Sequence, residues 1–415
     1  MSLTRGSGVN VIGAGLAGSL LTLLLARRGF RVTVYERRAD PRFNAPDGGR
    51  SINLALAARG IRGLQLAGVL DRVMPLAIPM RGRMVHEHDG SAELQPYGVR
   101  PDEVIYSVSR ADLNRLLVDA ADDLDEVDLK FNHTALGLAA GTHAIEMRDV
   151  SGRVFAAAAQ PTIATDGAGS PVRHAMASHG LARVREEFLD HDYKELTIPP
   201  VNGAPVLDVN ALHIWPRGGF MLIALPNRDA SFTATLFLAR KGPNSFEGLR
   251  DAAAVEAFFT REFPSALALM PDLVRDFLRN PQGQLGTIYT QGWHAGGDLL
   301  LLGDAAHAIV PFHGQGMNCA FEDCAELVRL LDLHEDWAGL FAAFEHERRP
   351  DTDAIAQMAL DNYVEMRETV LDPVYRREKK LAEERERSDP AFISRYAQVM
   401  FHPEIPYSRI PRSTS

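Results

Sequence analysis

Three stretches of the 415-residue sequence predict an α/β fold, in which a parallel-sheet domain is interrupted by an antiparallel sheet and followed by a helical C-terminal region. The first, GVNVIGAGLAGSLLTLLLARRGFRVTVYERR, reads strand, glycine turn, helix, strand, with Gly29 closing the helix and Val32–Tyr35 forming the second strand. The second lies between about 190 and 280, where alternating segments such as ALHIWPRGGFMLIALP and SFTATLFLA are separated by Pro, Gly and Asn turns. The third is DLLLLGDAAH, an apolar run typical of a strand covered on both faces, which feeds the helical pattern GMNCAFEDCAELVRLLDL. The expected division is 1–75, 101–180 and 281–345 for the discontinuous parallel-sheet domain, 76–100 and 181–280 for the inserted sheet, and 346–415 for the C-terminal helical region.

Composition narrows the class of function. With 46% hydrophobic and 24% charged residues the chain can bury a large core. A formal charge of −10, from 44 Lys+Arg against 54 Asp+Glu, argues against nucleic acid or an acidic membrane surface as partner, while leaving arginine patches able to hold small anions. Val9 to Ala26 carries no charge, but Gly13, Gly15 and Gly18 divide it into a short strand and a helix, so neither a membrane span nor a secretion signal is expected. Cys319 and Cys324 sit five apart in one expected helix and diverge, which excludes a mutual disulfide and suits a reducing cytoplasm. His86 and His88 alternate on one strand face but lack a third ligand, and no metal is expected.

Along the chain, Gly13-x-Gly15-x-x-Gly18 follows a strand and opens a helix, and Glu36 ends the next strand. Glycines there permit a tight turn and close backbone approach, the amides around Leu16 and Ala17 face a pyrophosphate, and Glu36, with Arg37 beside it, meets a ribose. This predicts a Rossmann-like dinucleotide site. A carboxylate at Glu36 disfavours a 2′-phosphate there, but position alone does not separate a flavin from a nicotinamide dinucleotide. A helical period runs over 109–124, in SRADLNRLLVDAADDL. Next, ATDGAGSPVR places Asp166-Gly167 after an apolar strand and Arg173 just behind, a pattern that also suits a plain turn with a surface arginine. In GDAAHAIVPFHGQGMN, Asp304 stands at the carboxyl edge of a parallel sheet, where α/β folds bind ligands. Gly314-Gln315-Gly316 then gathers backbone amides at the start of a helix over 317–331, a place that stabilises an anion. The run RREKKLAEERER reads as a solvated helix face.

Taken together, the early glycine fingerprint with Glu36, the mid-chain Asp166-Gly167 and the late GDAAH…P…GQGMN resemble the class A flavoprotein aromatic hydroxylases. The resemblance implies FAD as resident cofactor, NADPH as transient co-substrate, O2 as oxidant and no separate nicotinamide domain. It implies that Asp304 holds the ribityl chain, that Arg110 meets the phosphates, that Asp166-Gly167 serves both coenzymes, and that Leu54, Pro311, Gly314, Gln315, Gly316, Met317 and Asn318 belong to the flavin site. Further blocks narrow the match: GRSINLALAARG (49–60), IPMRGRMVHEHDG (78–90), QPYG (95–98), VIYSVSRADLNRLL (104–117), YKELTIPP (193–200) and LHIWPR (212–217). They are similar to the branch of that family acting on an amino acid with an aniline ring. In it Arg83 and Tyr97 match the pair that grips the substrate carboxylate, Asn362 and Met366 match further pocket residues, and Tyr396 matches more loosely.

An arginine fork binds a carboxylate through two parallel hydrogen bonds and a phenol adds a rigid donor; the choice of Arg83 over Arg81 rests on the resemblance. Phe312 and His313 are placed to line the aromatic pocket, with His313 weighed as a proton relay and His307 as packing near the flavin. The expected partner is a small aromatic amino acid, and a homodimer is the assembly considered. Two alternatives stay open: a related hydroxylase acting on another aromatic amino acid or a quinoline-type acid, and a non-catalytic carrier built on the same fold.

Overall fold

The computed structural model describes residues 2–44, 53–389 and 391–411. Residues 49–52 of the block 49–60, and 412–415 of the C-terminal region, lie outside the described residues. A six-stranded sheet forms the first layer, in the order His294–Ala295, Leu299–Leu301, Thr162–Ala164, Gly8–Ile12, Arg31–Glu36, Val127–Phe131. All its pairs are parallel except the first. Its central strands are apolar because both faces are covered: Val9, Val11, Leu299, Leu300 and Leu301 have no exposed surface. The helix Leu16–Ala26 is buried from Gly18 to Ala26, which explains why the segment carries no charge. No described helix is long and apolar enough to cross a bilayer.

The second layer is a seven-stranded sheet, in the order Gln282–Gln291, Arg183–Ile198, Phe232–Ala239, Met221–Pro226, Ala211–Pro216, Gly82–His86, Ala92–Pro96. It is not wholly antiparallel as expected, since Gly82–His86 pairs in parallel with Ala211–Pro216. The hairpin 82–96 enters from the first domain, and a long crossover rather than a tight turn connects its strand to 211–216, as parallel pairing requires. The 252–279 region also departs from the strand texture read in sequence. It forms helices Ala252–Glu262, Pro264–Leu267 and Leu273–Arg279, whose Val255, Phe258, Phe259 and Phe277 pack with Trp215 and Phe263 against one sheet face. Asp251 caps the first of them by accepting from Ala254 N at 2.9 Å. Strand Gln282–Gln291, on the parallel-sheet side of the expected division, is hydrogen-bonded to Arg183–Ile198, so these two strands run between the layers.

A small sheet of Asn53–Leu56, Ile105–Ser109 and Ile78–Met80 joins the layers and delivers the helix Arg110–Asp122, capped by Ser109 accepting from Asp112 N. The helix Gly316–Leu331 begins one residue before its expected start. The long helix Trp337–Arg367 runs through the boundary drawn at 346, and Pro373–Ser388 and Arg395–Phe401 follow it. Cys319 and Cys324 are both buried and unpaired.

Candidate active site

The first half of the site is backbone. Gly13 has φ +102°, and a Cβ there would stand 2.8 Å from Thr165 O; a Cβ on Gly18 would stand 1.9 Å from Gly13 O, so only glycine lets the turn close on the helix. A Cβ on Gly15 would meet open space, and among the described residues no side chain caps the helix that begins at Leu16. Glu36 is fixed by accepting from Ala14 N at 2.8 Å and from Arg38 N at 2.9 Å. Asn114, which sequence reading missed, donates to Ala14 O at 2.9 Å and steadies the same turn. Arg37 is exposed and Leu54 half-buried.

Asp304 follows Leu299–Leu301 after Gly303 at φ +64° and is itself exposed, although many protein atoms stand around its carboxyl. That crowding raises its carboxyl above the usual range, against the pull of His307 and Arg110. Asp166 Oδ1 is buried without a partner, and burial raises this carboxyl too. Gly167, at φ +87°, would have open space at its Cβ. Arg173 is not a surface residue of a plain turn: it has no exposed surface and donates to Ala305 O at 3.0 Å and Ala168 O at 2.5 Å, tying the 166–173 loop to the 304–307 turn.

The glycine loop is held from behind. Gly314 has φ +64°, and a Cβ there would stand 2.9 Å from Ala55 Cβ. Asn318 accepts from Ala57 N at 2.9 Å and donates to Ala55 O and Gly314 O, both at 2.8 Å, so its side chain knits the loop to the small sheet. Gln315 is fully buried and accepts from Tyr407 Oη at 2.7 Å. Met317 is buried, Pro311 exposed and Gly316 half-buried. Among the described residues the helix starting at Gly316 has no side-chain cap and no acidic residue in its first turn. Two uncapped helix starts, a bare glycine turn and an unpartnered carboxylate oxygen fit FAD, a polyanion with ribose and ribityl hydroxyls.

The second half is a cavity of about 110 Å³, with Arg83, Tyr97, Glu365, Tyr375, Lys379 and Tyr396 in its lining. Arg83 lies within the strand Gly82–His86 and is buried, whereas Arg81 precedes that strand and is exposed, a distinction the sequence does not make by itself. Arg83 pairs with Glu365 at 3.1 Å and donates to Asn362 Oδ1 at 3.4 Å. Its guanidinium lies 5.1 Å from the Tyr396 ring centre and 5.9 Å from that of Tyr97. Tyr97 and Tyr396 stack at 5.6 Å, and Tyr396 stacks at 5.6 Å on His313 as well. Burial lifts the Tyr396 phenol to about 12, so it stays a neutral donor.

Asn362 donates to Phe312 O at 2.7 Å and to Met366 Sδ at 3.3 Å, and Phe312 stacks on Tyr363 at 3.8 Å. The geometry thus gathers Arg83, Tyr97, Phe312, His313, Asn362, Met366 and Tyr396 into one region. His313 is pulled down to about 4 by burial and by Arg83, so it is an uncharged imidazole at neutral pH.

Glu365, Tyr375 and Lys379 went unread in the sequence. Glu365 stands inside the DNYVEM block between two residues that were read. Lys379 belongs to RREKKLAEERER, which is not simply a solvated face: Lys379 donates to Gln95 Oε1 at 3.2 Å, and buried Glu386 accepts from Ser394 N at 3.2 Å. Burial, then Arg83, lowers the Lys379 ammonium to about 8.

His86, His88 and His307 have protein partners. His86 meets His213 at 2.9 Å and stacks on Trp215, while His88 reaches Arg261 O, so the two share no site. His307, Cys319 and Asp323 bring ligand-type atoms within 4.8 Å of one another. His307 meets one Asp323 oxygen at 2.7 Å and Arg348 the other at 2.8 Å, which makes the group a buried ion-pair cluster.

Comparison with known proteins agrees with this geometry. The family described as FAD binding domain matches residues 7–359. The chain is 48% identical over 411 residues to the kynurenine 3-monooxygenase of Stenotrophomonas maltophilia, covering 98% of this chain and 90% of that one. It is 46% identical over 410 residues to the kynurenine 3-monooxygenase of Myxococcus xanthus, covering 98% and 88%. Among solved structures, p-nitrophenol 4-monooxygenase from Pseudomonas putida superposes with a TM-score of 0.74 at 17% identity, covering 99% of this chain and all of that one. PqsL of P. aeruginosa in complex with 2-aminobenzoylacetate gives 0.69 at 21% identity, covering 87% and 96%. These two show the fold, and the full-length relatives show the lineage: the chain belongs to the kynurenine 3-monooxygenase family of FAD-dependent flavoproteins.

Proposed function

We propose that this protein hydroxylates L-kynurenine to 3-hydroxykynurenine with NADPH and O2. The observation that carries the reading is Arg83, 5% exposed yet fully charged, ringed by the phenols of Tyr97, Tyr375 and Tyr396 beside the loop 311–316. A buried guanidinium with planar donors and rigid hydroxyls suits an amino-acid carboxylate, and Glu365 offers an acceptor to the ammonium of the same molecule. FAD, when bound, supplies activation of dioxygen and delivery of one oxygen atom to the ring.

The chain's part is to hold and to exclude. Gly13, Gly15, Leu16, Ala17, Gly18, Glu36, Arg37, Leu54, Arg110, Asp166, Gly167, Asp304, Pro311 and the residues Gly314 to Asn318 hold the cofactor. With FAD in the site, the start of the helix at Gly316 would stabilise negative charge beside it. Phe312, His313 and Met366 place the substrate ring, and the helix Pro373–Ser388 covers the carboxylate end against water. The aniline nitrogen already feeds electron density to its ortho carbon, so an uncharged His313 is adequate and no protein acid is needed.

In the same reading the parallel-sheet unit holds FAD, the seven-stranded sheet receives substrate, the C-terminal helices close the pocket, and the protein works as a cytoplasmic homodimer. Incubation with L-kynurenine, NADPH and air, followed by mass spectrometry, tests the central claim. A product heavier by one oxygen is expected, and NADPH oxidation without that product refutes it.

A further inference from the structure

A second cavity, of about 410 Å³, opens between the linking strands and the long helix. Arg183 and Arg185 are two apart on one strand and pair across with Gln291 and Tyr289, so all four side chains share one sheet face. The helix Trp337–Arg367 adds Arg349, Asp353 and Gln357, spaced by four residues along one helix face. Three guanidiniums and one carboxylate therefore surround an open space in a protein whose formal charge is −10. Among the described residues no carboxylate pairs with Arg183. Arg185 pairs with Glu187 and lies 4.3 Å from the centre of the Tyr289 ring, a flat platform on which an aromatic base can stack. The nearest carboxylate to Arg349, that of Glu345, is 3.8 Å away and already accepts from Gly292 N, Trp293 N and His294 Nδ1. Ile288, on the same strand as Tyr289, donates to Ala308 O at 2.8 Å, so the cavity borders the segment that carries Asp304.

We propose that this cavity binds the 2′-phosphoadenosine end of NADPH. Arg183, Arg185 and Arg349 receive the phosphate, Tyr289 and Arg185 stack the base, and Asp353 accepts from a ribose hydroxyl. The argument is one of chemistry and exclusion. The glycine fingerprint is committed to FAD, and its Glu36 repels a 2′-phosphate. A coenzyme distinguished by that group needs planar guanidiniums elsewhere, and the cavity offers three, of which Arg183 has no carboxylate partner among the described residues. The inference rests on the NADPH dependence in the proposed function.

Calorimetric titration of the FAD-loaded protein with 2′,5′-ADP, with 5′-AMP as control, tests it directly. Wild-type protein is expected to bind 2′,5′-ADP at least about tenfold more tightly than 5′-AMP, and Arg183→Ala, or Arg349→Gln, to lose about tenfold of that affinity. KM for NADPH should rise by a similar factor, with KM for NADH and FAD content unchanged. A wild-type protein that does not distinguish the two nucleotides overturns the proposal. So do variants that retain 2′,5′-ADP binding, or that lose NADPH and NADH equally. Hydroxylation of L-kynurenine by a protein that ignores 2′,5′-ADP would sink this site alone. Selective 2′,5′-ADP binding without hydroxylation would sink the proposed reaction and leave the site standing.

Discussion

Arg83 sits with 5% of its surface exposed and Glu365 at 3.1 Å, so its charge is retained in the interior only because a carboxylate and neighbouring phenols answer it. Arg83→Ala is expected to raise KM for kynurenine with FAD retained, through loss of about 2 to 3 kcal/mol, roughly thirty- to one-hundred-fifty-fold. Steady-state kinetics beside flavin content checks this, and an unchanged KM would remove Arg83 from the carboxylate site. Asp304→Ala should do the opposite, yielding protein poor in flavin by its visible absorbance. Lys379 supplies a pH signature: with its ammonium lowered to about 8, it is charged at pH 7 and largely neutral at pH 9. KM for kynurenine should therefore climb across that interval, and Lys379→Met should flatten the climb. A wild-type profile identical to that of the variant would show that Lys379 does not face the substrate.

At the scale of elements, the loop 311–316 is gripped by the C-terminal helices: Phe312 by Asn362 and Tyr363, His313 by Tyr396, and Gln315 by Tyr407 and Met400. Tyr407→Phe leaves the buried Gln315 oxygen without its donor, at a cost of about 1 to 3 kcal/mol. The expected result is a shifted visible spectrum of bound FAD and less product per NADPH consumed; a variant with native spectrum and coupling would show the tie to be dispensable. The first βαβ unit, the helix beginning at Arg110 and the strands of 211–239 were legible in sequence because local signals agree there: glycine turn, Ser109 cap, strict alternation. The helices of 252–279 were not, because clustered aromatics such as Phe258, Phe259 and Phe263 suit a buried strand as well as a helix. Nor was the burial of Lys379 and Glu386, since a charge run says nothing of which neighbours fold over it. The five pocket residues that matched the family pattern, Arg83, Tyr97, Asn362, Met366 and Tyr396, lie in one region, while Glu365 and Tyr375, far apart from Arg83 in sequence, needed the fold to become visible.

For the whole molecule, two imidazoles, His313 buried and His86 half-buried, set the acid limit. His86 and His313 are both lowered to about 4 from an ordinary 6.5, chiefly by burial. Between pH 6.5 and 4 the unfolded chain binds these protons and the folded one does not, so stability is intact above pH 6.5 and falls as pH drops through that window. The full effect is on the order of 3 kcal/mol per histidine. Melting temperatures from pH 7 to 4 should show a steep decline that His313→Phe makes shallower, and an equal slope in the variant would refute the assignment. A different consequence concerns how the molecule is made. Arg59 donates to Ile405 O at 2.5 Å and lies 3.8 Å from the Tyr407 ring, and Gln315 waits on a hydroxyl 92 residues further along. During translation the nascent loop therefore exists for roughly 5 to 20 seconds before its fastener Tyr407 is synthesised, so the loop can close in its final form only after the segment around Tyr407 has emerged, well after the glycine turn.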